Sequence, residues 1–150
     1  MKQEFEWNDE LGLATCTLTN NKGQQFYGVA ECHDDDLDFK SEKTGCEIAL
    51  RRAALSALRH QRDGELIPEL NILKHLYNNI SQSKKFDPKS YEVKMLKRQI
   101  YFKEAELADI RDVIHSQMAD LYIYLKSKDI FYKQTRAHRK EKELEKANLK

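Results

Sequence analysis

From Pro88 to about Lys126 the chain carries a single helical pattern that is longer than a domain of this size can bury. Leu96, Ile100, Leu107, Ile110, Ile114, Met118, Leu121 and Leu125 recur mostly at three- and four-residue steps. Lys97, Arg98, Lys103, Glu104, Glu106, Asp109, Arg111 and Asp112 fill the turns between them, so the pattern is one apolar stripe on a charged helix. Asp87 is placed to accept from the first free N–H groups, and Pro88 sits where a missing N–H costs nothing. At 1.5 Å per residue the segment spans roughly 58 Å. A compact chain of 150 residues has a radius of gyration of about 15 Å. Much of the stripe therefore needs a cover, and a second copy of the chain is the expected one.

The N-terminal third reads as a β-element over 1–40. Leu13 to Leu18 alternates, with Ala14, Cys16 and Leu18 on one face, and Gln25 to Cys32 does the same with Phe26, Gly28, Ala30 and Cys32. Asn20-Asn21-Lys22-Gly23 between them is turn chemistry, so the two runs predict a hairpin. Phe5 and Trp7 are the large apolar side chains of residues 1–10, which read as a short edge strand at most. A lone hairpin is marginal in water, so this one is expected to lie on the helices or to pair with another chain's hairpin.

Three helices are predicted, over 44–63, 67–83 and 88–126. Thr44-Gly45-Cys46-Glu47 fits a capping box for the first, with Ser41 or Asp38 as an alternative start one turn earlier. Ile48, Ala49, Ala53, Leu55 and Leu58 give this helix a small-residue face, and Gly64 reads as its stop. Leu66, Leu70, Leu73, Tyr77 and Ile80 form a heptad seam on the second helix, which is expected to make an antiparallel hairpin with the third. The final stretch, 140–150, is almost wholly charged or small and reads as a frayed or disordered tail. The fold class predicted is α+β: a small N-terminal antiparallel sheet, then a helical hairpin with one long helix, oligomeric through helix packing.

Charged residues make up 34% of the chain, yet the formal net charge is only +1. No global field draws such a protein onto DNA, RNA or an anionic membrane, and any anion must be met by a local cluster. No window approaches a transmembrane length of apolar residues, and Met1–Asp9 is acidic and mixed, unlike a secretory signal, so a cytoplasmic protein is expected. Cys16, Cys32 and Cys46 are odd in number and widely spaced, which predicts reduced thiols.

Few constellations suggest chemistry. Asp34, Asp35, Asp36 and Asp38 match no calcium-loop spacing, and acids before a helix are stabilising in any case. Cys32-His33 is adjacent rather than at zinc spacing, His60, His75, His115 and His138 stand singly, and the glycines form no phosphate loop. Neither a catalytic trio, a metal site nor a cofactor is predicted. The basic residues are more informative. Arg51, Arg52, Arg59 and Arg62 crowd one helix, a pattern that is usually a solvated face paired with acids. Lys84, Lys85, Phe86, Lys89, Tyr91 and Arg98 bring cations and aromatic rings to the start of the long helix, where phosphate and a stacked base can be held. Phe86 serves there either as a stacking platform or as the staple preceding Asp87. Arg136 and Arg139 lie three residues apart on one helical face, a fork pair for a diphosphate or else part of a solvated tail.

Several of these stretches resemble the first-described family of phage Thoeris anti-defence proteins. They are Glu31-Cys32-His33-Asp34-Asp35, Asp38-Phe39-Lys40-Ser41-Glu42-Lys43-Thr44-Gly45 with Ile48-Ala49 and Arg52-Ala53, Asp87-Pro88-Lys89-Ser90-Tyr91 with Met95-Leu96 and Arg98-Gln99-Ile100, and Arg136-Ala137-His138-Arg139. The resemblance spans about residues 10 to 139. It implies a small cytosolic protein of the infected bacterium, with an N-terminal β-element and long helices that assemble into dimers and further into hexamers. It also implies a non-catalytic sponge, which sequesters the glycocyclic ADP-ribose made by a bacterial TIR-domain protein; some members also hold cyclic trinucleotides of CBASS at a separate site. On that reading Phe86 stacks on the adenine and Arg136 and Arg139 take the phosphates, with Arg59, Arg62, Lys89 and Arg98 in support and Tyr91 beside them. Because Phe86 and the Arg136–Arg139 pair lie at opposite ends of the long helix, a shared site requires a partner subunit. The competing expectation is a helical phage accessory protein that binds a host protein; a nucleic-acid regulator is disfavoured by the near-neutral charge.

Overall fold

The computed structural model describes residues 1–149. It is α+β, as expected. Three antiparallel strands in the order β1-β2-β3, namely β1 (Lys2–Asn8), β2 (Leu13–Thr19) and β3 (Gln25–Glu31), precede the helices. The predicted hairpin is β2–β3, in a register that pairs Cys16 with Gly28 and Leu18 with Phe26. Residues 1–10 supply a full third strand on the other side of β2, with Phe5 opposite Cys16 and Trp7 opposite Ala14. A 3-10 helix follows over Asp34–Phe39, so the β-element ends before residue 34 rather than at 40. The helices are α1 (Glu42–His60), α2 (Ile67–Ser81) and α3 (Tyr91–Asn148), and a π-helical stretch, Gln61–Leu66, joins the first two.

The chain divides into two compact units, Met1–Ser56 with Gln117–Lys150 and Ala57–Ser116. In the first unit Ala14, Cys16, Leu18, Phe26 and Ala30 of the sheet are buried together with Ala49, Ala53 and Leu55 of α1. The alternation of β2 and β3 is what puts all five sheet residues on one face. Gly28 sets how closely that face meets α1: a β-carbon there would lie 2.5 Å from the Ala53 nitrogen and closer still to the Ala49 carbonyl oxygen. The small-residue face of α1 thus packs backbone to backbone on β3. Arg52 donates from Nη1 to the Val29 carbonyl (2.7 Å), which blocks one acceptor on the free edge of β3. In the second unit Leu66, Leu70, Val93, Leu107, Ile110 and Ile114 are buried. Lys74 pairs with Glu104 (3.1 Å) and Lys103 with Glu69, so α2 and the start of α3 form the expected antiparallel hairpin.

Element boundaries differ from the sequence reading in four places, each with a local cause. The first helix begins at Glu42, because Ser41 rather than Thr44 caps it: Ser41 Oγ accepts from the Thr44 N–H (3.2 Å) and its carbonyl from the Gly45 N–H (2.9 Å). Gly64 is no stop, since it lacks the positive φ that a C-cap glycine uses and lies inside the π-helical stretch, where the Ile67 N–H reaches back to the Arg62 carbonyl. The long helix starts at Tyr91, not Pro88. Asp87 spends its carboxylate on the Lys89 N–H (2.9 Å) in a turn, and Ser90 caps instead, with Oγ accepting from the Val93 N–H (3.3 Å). At its far end α3 continues past Lys126 to Asn148, so residues 140–148 are helical rather than frayed. No Gly or Pro interrupts that span. Ser127 and Thr135 return their hydroxyls to the Tyr124 and Phe131 carbonyls (2.7 and 2.9 Å), and Lys133–Asp129 and Arg139–Glu143 are i,i+4 ion pairs.

Candidate functional site

Three groups of basic side chains were predicted to meet an anion, and the structure treats them differently. The last pair belongs to the first unit. Arg136 donates to Asp36 and Arg139 to Asp38, so both guanidiniums of the fork close on the 3-10 helix of their own chain. Asp36 is buried, its side chain 10% exposed against 26% for Arg136; the Arg139–Asp38 pair is half-exposed. The Arg139 guanidinium also lies 5.6 Å from the centre of the Phe39 ring. A diphosphate entering here would have to displace two carboxylates that are already in place.

The second group centres on the π-helical stretch of the second unit. Arg62 grips Asp63 with two hydrogen bonds (2.7 and 3.0 Å), and that contact, followed by the nearby charges of Arg62, Arg111 and Arg59, holds the Asp63 carboxyl below the usual carboxylate range. Arg59 and Arg62 are therefore near each other as predicted, and the third guanidinium is Arg111 of α3. Arg111 was read only as part of the charged face of the long helix. Its approach depends on the antiparallel packing of the hairpin, for which the charge pattern alone contains no signal.

The third group occupies the turn from α2 into α3 in the same unit. Between Lys84 and Arg98 stand six cations, Lys84, Lys85, Lys89, Lys94, Lys97 and Arg98, against two carboxylates, Asp87 and Glu92. None of the eight makes an ion pair among the described residues. Phe86 is half-buried and meets Tyr77 of α2 edge to face, with ring centres 6.4 Å apart. Lys97 sits over the same Tyr77 ring at 5.8 Å. Phe86 thus rests on Tyr77 of α2 and stays partly exposed. Tyr91 is 73% exposed, and Arg98 and Lys89 are exposed too. Phe86, Lys89, Tyr91 and Arg98 come together here; Arg59 and Arg62 lie near Arg111, 13 residues or roughly 20 Å further along α3 than Arg98; and the contacts of Arg136 and Arg139 stay within the other unit.

Sequence reading also missed a cavity of about 180 Å³ in the first unit, walled by Trp7, Ala30, Ile48, Leu125 and Tyr132. Among the described residues no group of His, Cys, Asp and Glu is placed to hold a metal ion, and no helix is long and apolar enough to cross a membrane. No protein-family model, curated protein or solved structure matches the chain.

Proposed function

We propose that the chain is a non-catalytic sponge that binds and sequesters glycocyclic ADP-ribose, the signal of a Thoeris TIR-domain protein, in the cytoplasm of an infected bacterium. The observation that carries the reading is the uncompensated charge at the Lys84–Arg98 turn, six cations to two carboxylates beside the half-buried ring of Phe86. A cyclic ADP-ribose presents a diphosphate and one adenine, and this corner offers cations for the first and a ring for the second. Lys74, Lys103 and Lys133, by contrast, each pair with an acid. Phe86, Lys89, Tyr91 and Arg98 are the proposed contacts, with Arg59, Arg62 and Arg111 as a second cluster on the same unit. A second copy of the chain is the proposed cover for Ile72, Leu76 and Phe102, which are 62%, 47% and 57% exposed, giving a homodimer and by further association a hexamer.

Silencing requires free signal to fall below the affinity of its receptor, so a Kd near 1 nM, about −12 kcal/mol, is expected. Calorimetry with glycocyclic ADP-ribose tests this directly. Saturable binding, followed by recovery of unaltered ligand on heating, is the expected result. Phe86→Ala removes the stacking partner, for which a cost of about 1–3 kcal/mol is typical, so Kd should rise tenfold or more. A chemically altered product would replace the sponge by an enzyme, and absence of binding would end the reading.

One observation favours a second reading. The groove between α2 and α3, about 460 Å³ and lined by Ile72, Leu73 and Phe102 with Glu69, Lys103 and Glu106, suits an amphipathic helix of a host protein. Sedimentation of the pure chain separates the two: a homodimer that buries this groove leaves no room for a host helix.

A further inference from the structure

The cavity of the first unit is unrelated to the basic groups just described. Every residue that lines it belongs to that unit, and its walls are mostly apolar. Trp7 is the largest of them. Its position depends on Gly45, where a β-carbon would come within 3.0 Å of the indole ring and 3.1 Å of the Ala14 side chain. The indole therefore lies against the first turn of α1 at Gly45, with Ile48, Leu125 and Tyr132 among the other walls of the cavity. The opening left between them is about 180 Å³. A dry apolar cavity of ~150 Å³ accepts benzene. This one holds a single ring with room to spare, or a two-ring heterocycle at close fit, and is too small for a drug-sized molecule.

Its polar lining is not that of a solvent-filled cleft. Asp36 is the buried carboxylate whose Oδ1 takes Arg136, and it also lines the cavity. Tyr132 stands beside it closely enough that the Asp36 charge, after burial and Cys32, adds to the causes that push the Tyr132 hydroxyl above its usual range. That hydroxyl remains a neutral donor, and it makes no hydrogen bond with another side chain among the described residues. Cys32 is kept a neutral thiol chiefly by burial. Of the other charged groups that line it, Asp129 pairs with Lys133 (2.9 Å) and Lys128 lies over the Tyr124 ring at 5.4 Å, while Glu31 and Lys128 bring one charge of each sign. A carboxylate acceptor next to a hydroxyl donor, among apolar walls, matches a neutral ring whose edge carries an amino group beside a ring nitrogen.

We propose that the cavity between Trp7, Ile48, Leu125 and Tyr132 is a binding site for a planar heteroaromatic amine of one or two rings, its amino group donating to Asp36 and its ring nitrogen accepting from Tyr132. The same chemistry is presented by a free nucleobase and by a base carried on a nucleotide, whose phosphate would point outward past Lys128. The site stands apart from the sponge reading, because Phe86 and its cations belong to the other unit.

Trp7 is the sole tryptophan of the chain, so its emission, excited at the red edge, reports occupancy of the cavity without a label. Full-length protein is titrated with adenine, with purine, which lacks the amino group, and with AMP. Adenine is expected to change the emission saturably, and purine to bind about tenfold more weakly for want of one hydrogen bond to a charged acceptor. AMP binding tighter than adenine marks a nucleotide as the source, and the reverse order a free base; either supports the site. Ile48→Phe, which fills the cavity, should abolish the response while far-UV circular dichroism is unchanged, and Tyr132→Phe should weaken adenine several-fold should the larger side chain not be tolerated. A Trp7 signal that fails to saturate with any of the three compounds overturns the proposal. So does an adenine response that survives in both variants, even where glycocyclic ADP-ribose still binds.

Discussion

Replacing Arg136 by Met tests whether the 3-10 helix is held by its ion pairs or merely rests on them. The substitution keeps most of the side-chain stem and removes the guanidinium from a carboxylate whose side chain is 10% exposed. Breaking a buried pair from one side costs about 3–5 kcal/mol, since the remaining charge is left without a partner. Arg136 is itself 26% exposed, so water entering its place recovers part of that, and a loss of about 2 kcal/mol is expected. For a chain of this length that corresponds to a fall of ~4–8 °C in the melting midpoint. Because the chain forms two units, the assay must report on the first one alone, and urea unfolding followed by Trp7 emission does so. Asp36→Asn combined with Arg136→Met completes a double-mutant cycle, in which a coupling of about 1 kcal/mol or more is expected. Arg139→Met, at the exposed pair, should barely move the midpoint. Loss of under about 0.5 kcal/mol in Arg136→Met together with zero coupling would refute the idea that this pair holds the segment.

Gly28→Ala places a β-carbon against the backbone of α1, and with nothing flexible to give way it should cost several kcal/mol, seen as insoluble protein or a sharply lowered urea midpoint. Ser90→Ala removes the cap of α3 and should destabilise the second unit by about 1 kcal/mol in hydrogen exchange, whereas Asp87→Ala should have a smaller effect. Burial raises the thiol pKa of Cys16, Cys32 and Cys46 in the folded chain. The folded state therefore binds more protons than the unfolded one in the thiol range, and stability from this source is lost as pH rises past about 8.5. Iodoacetamide at pH 7.5 should label Cys16 only when urea is present and the half-buried Cys32 and Cys46 slowly without it, and rapid native labelling of Cys16 would contradict the packing of β2 on α1.

Where the sequence was legible, one physical rule decided each element. Alternation at Ala14, Cys16 and Leu18 against Phe26, Gly28 and Ala30 has no helical reading, and the Asn20 turn, whose side chain accepts from the Lys22 and Gln24 N–H groups (both 3.0 Å), leaves one register. Errors arose where two rules bid for one residue. Asp87 and Ser90 are both good caps and Pro88 suits the first turn after Asp87, so local chemistry does not choose between them. The packing of Val93 does: it is buried at 3% exposure, and the Ser90 side chain holds its N–H. The tail from Lys140 shows the same conflict, since Glu and Lys are residues of disordered segments and good helix formers alike. Attached to an existing helix with no breaker, they avoid the cost of nucleation and continue it.

The candidate sites divide along the same line. Asp34–Asp38 and Arg136–Arg139 each look solvated when read alone, and nothing in either stretch reports that about a hundred residues of intervening chain bring them together. Once paired, their charges are spent within the fold, and the fork that resembles a diphosphate grip becomes a clasp. At Lys84–Arg98 the charge excess is legible because it is local: the 15 residues hold four more cations than acids, six minus two, and none of them makes an ion pair among the described residues. An exposed guanidinium or ammonium group without a carboxylate partner is free to meet an anion from outside, and the proposed function rests on that freedom. On the proposed reading, Phe86 and Arg98, more than the paired Arg136 and Arg139, decide the binding of a nucleotide signal.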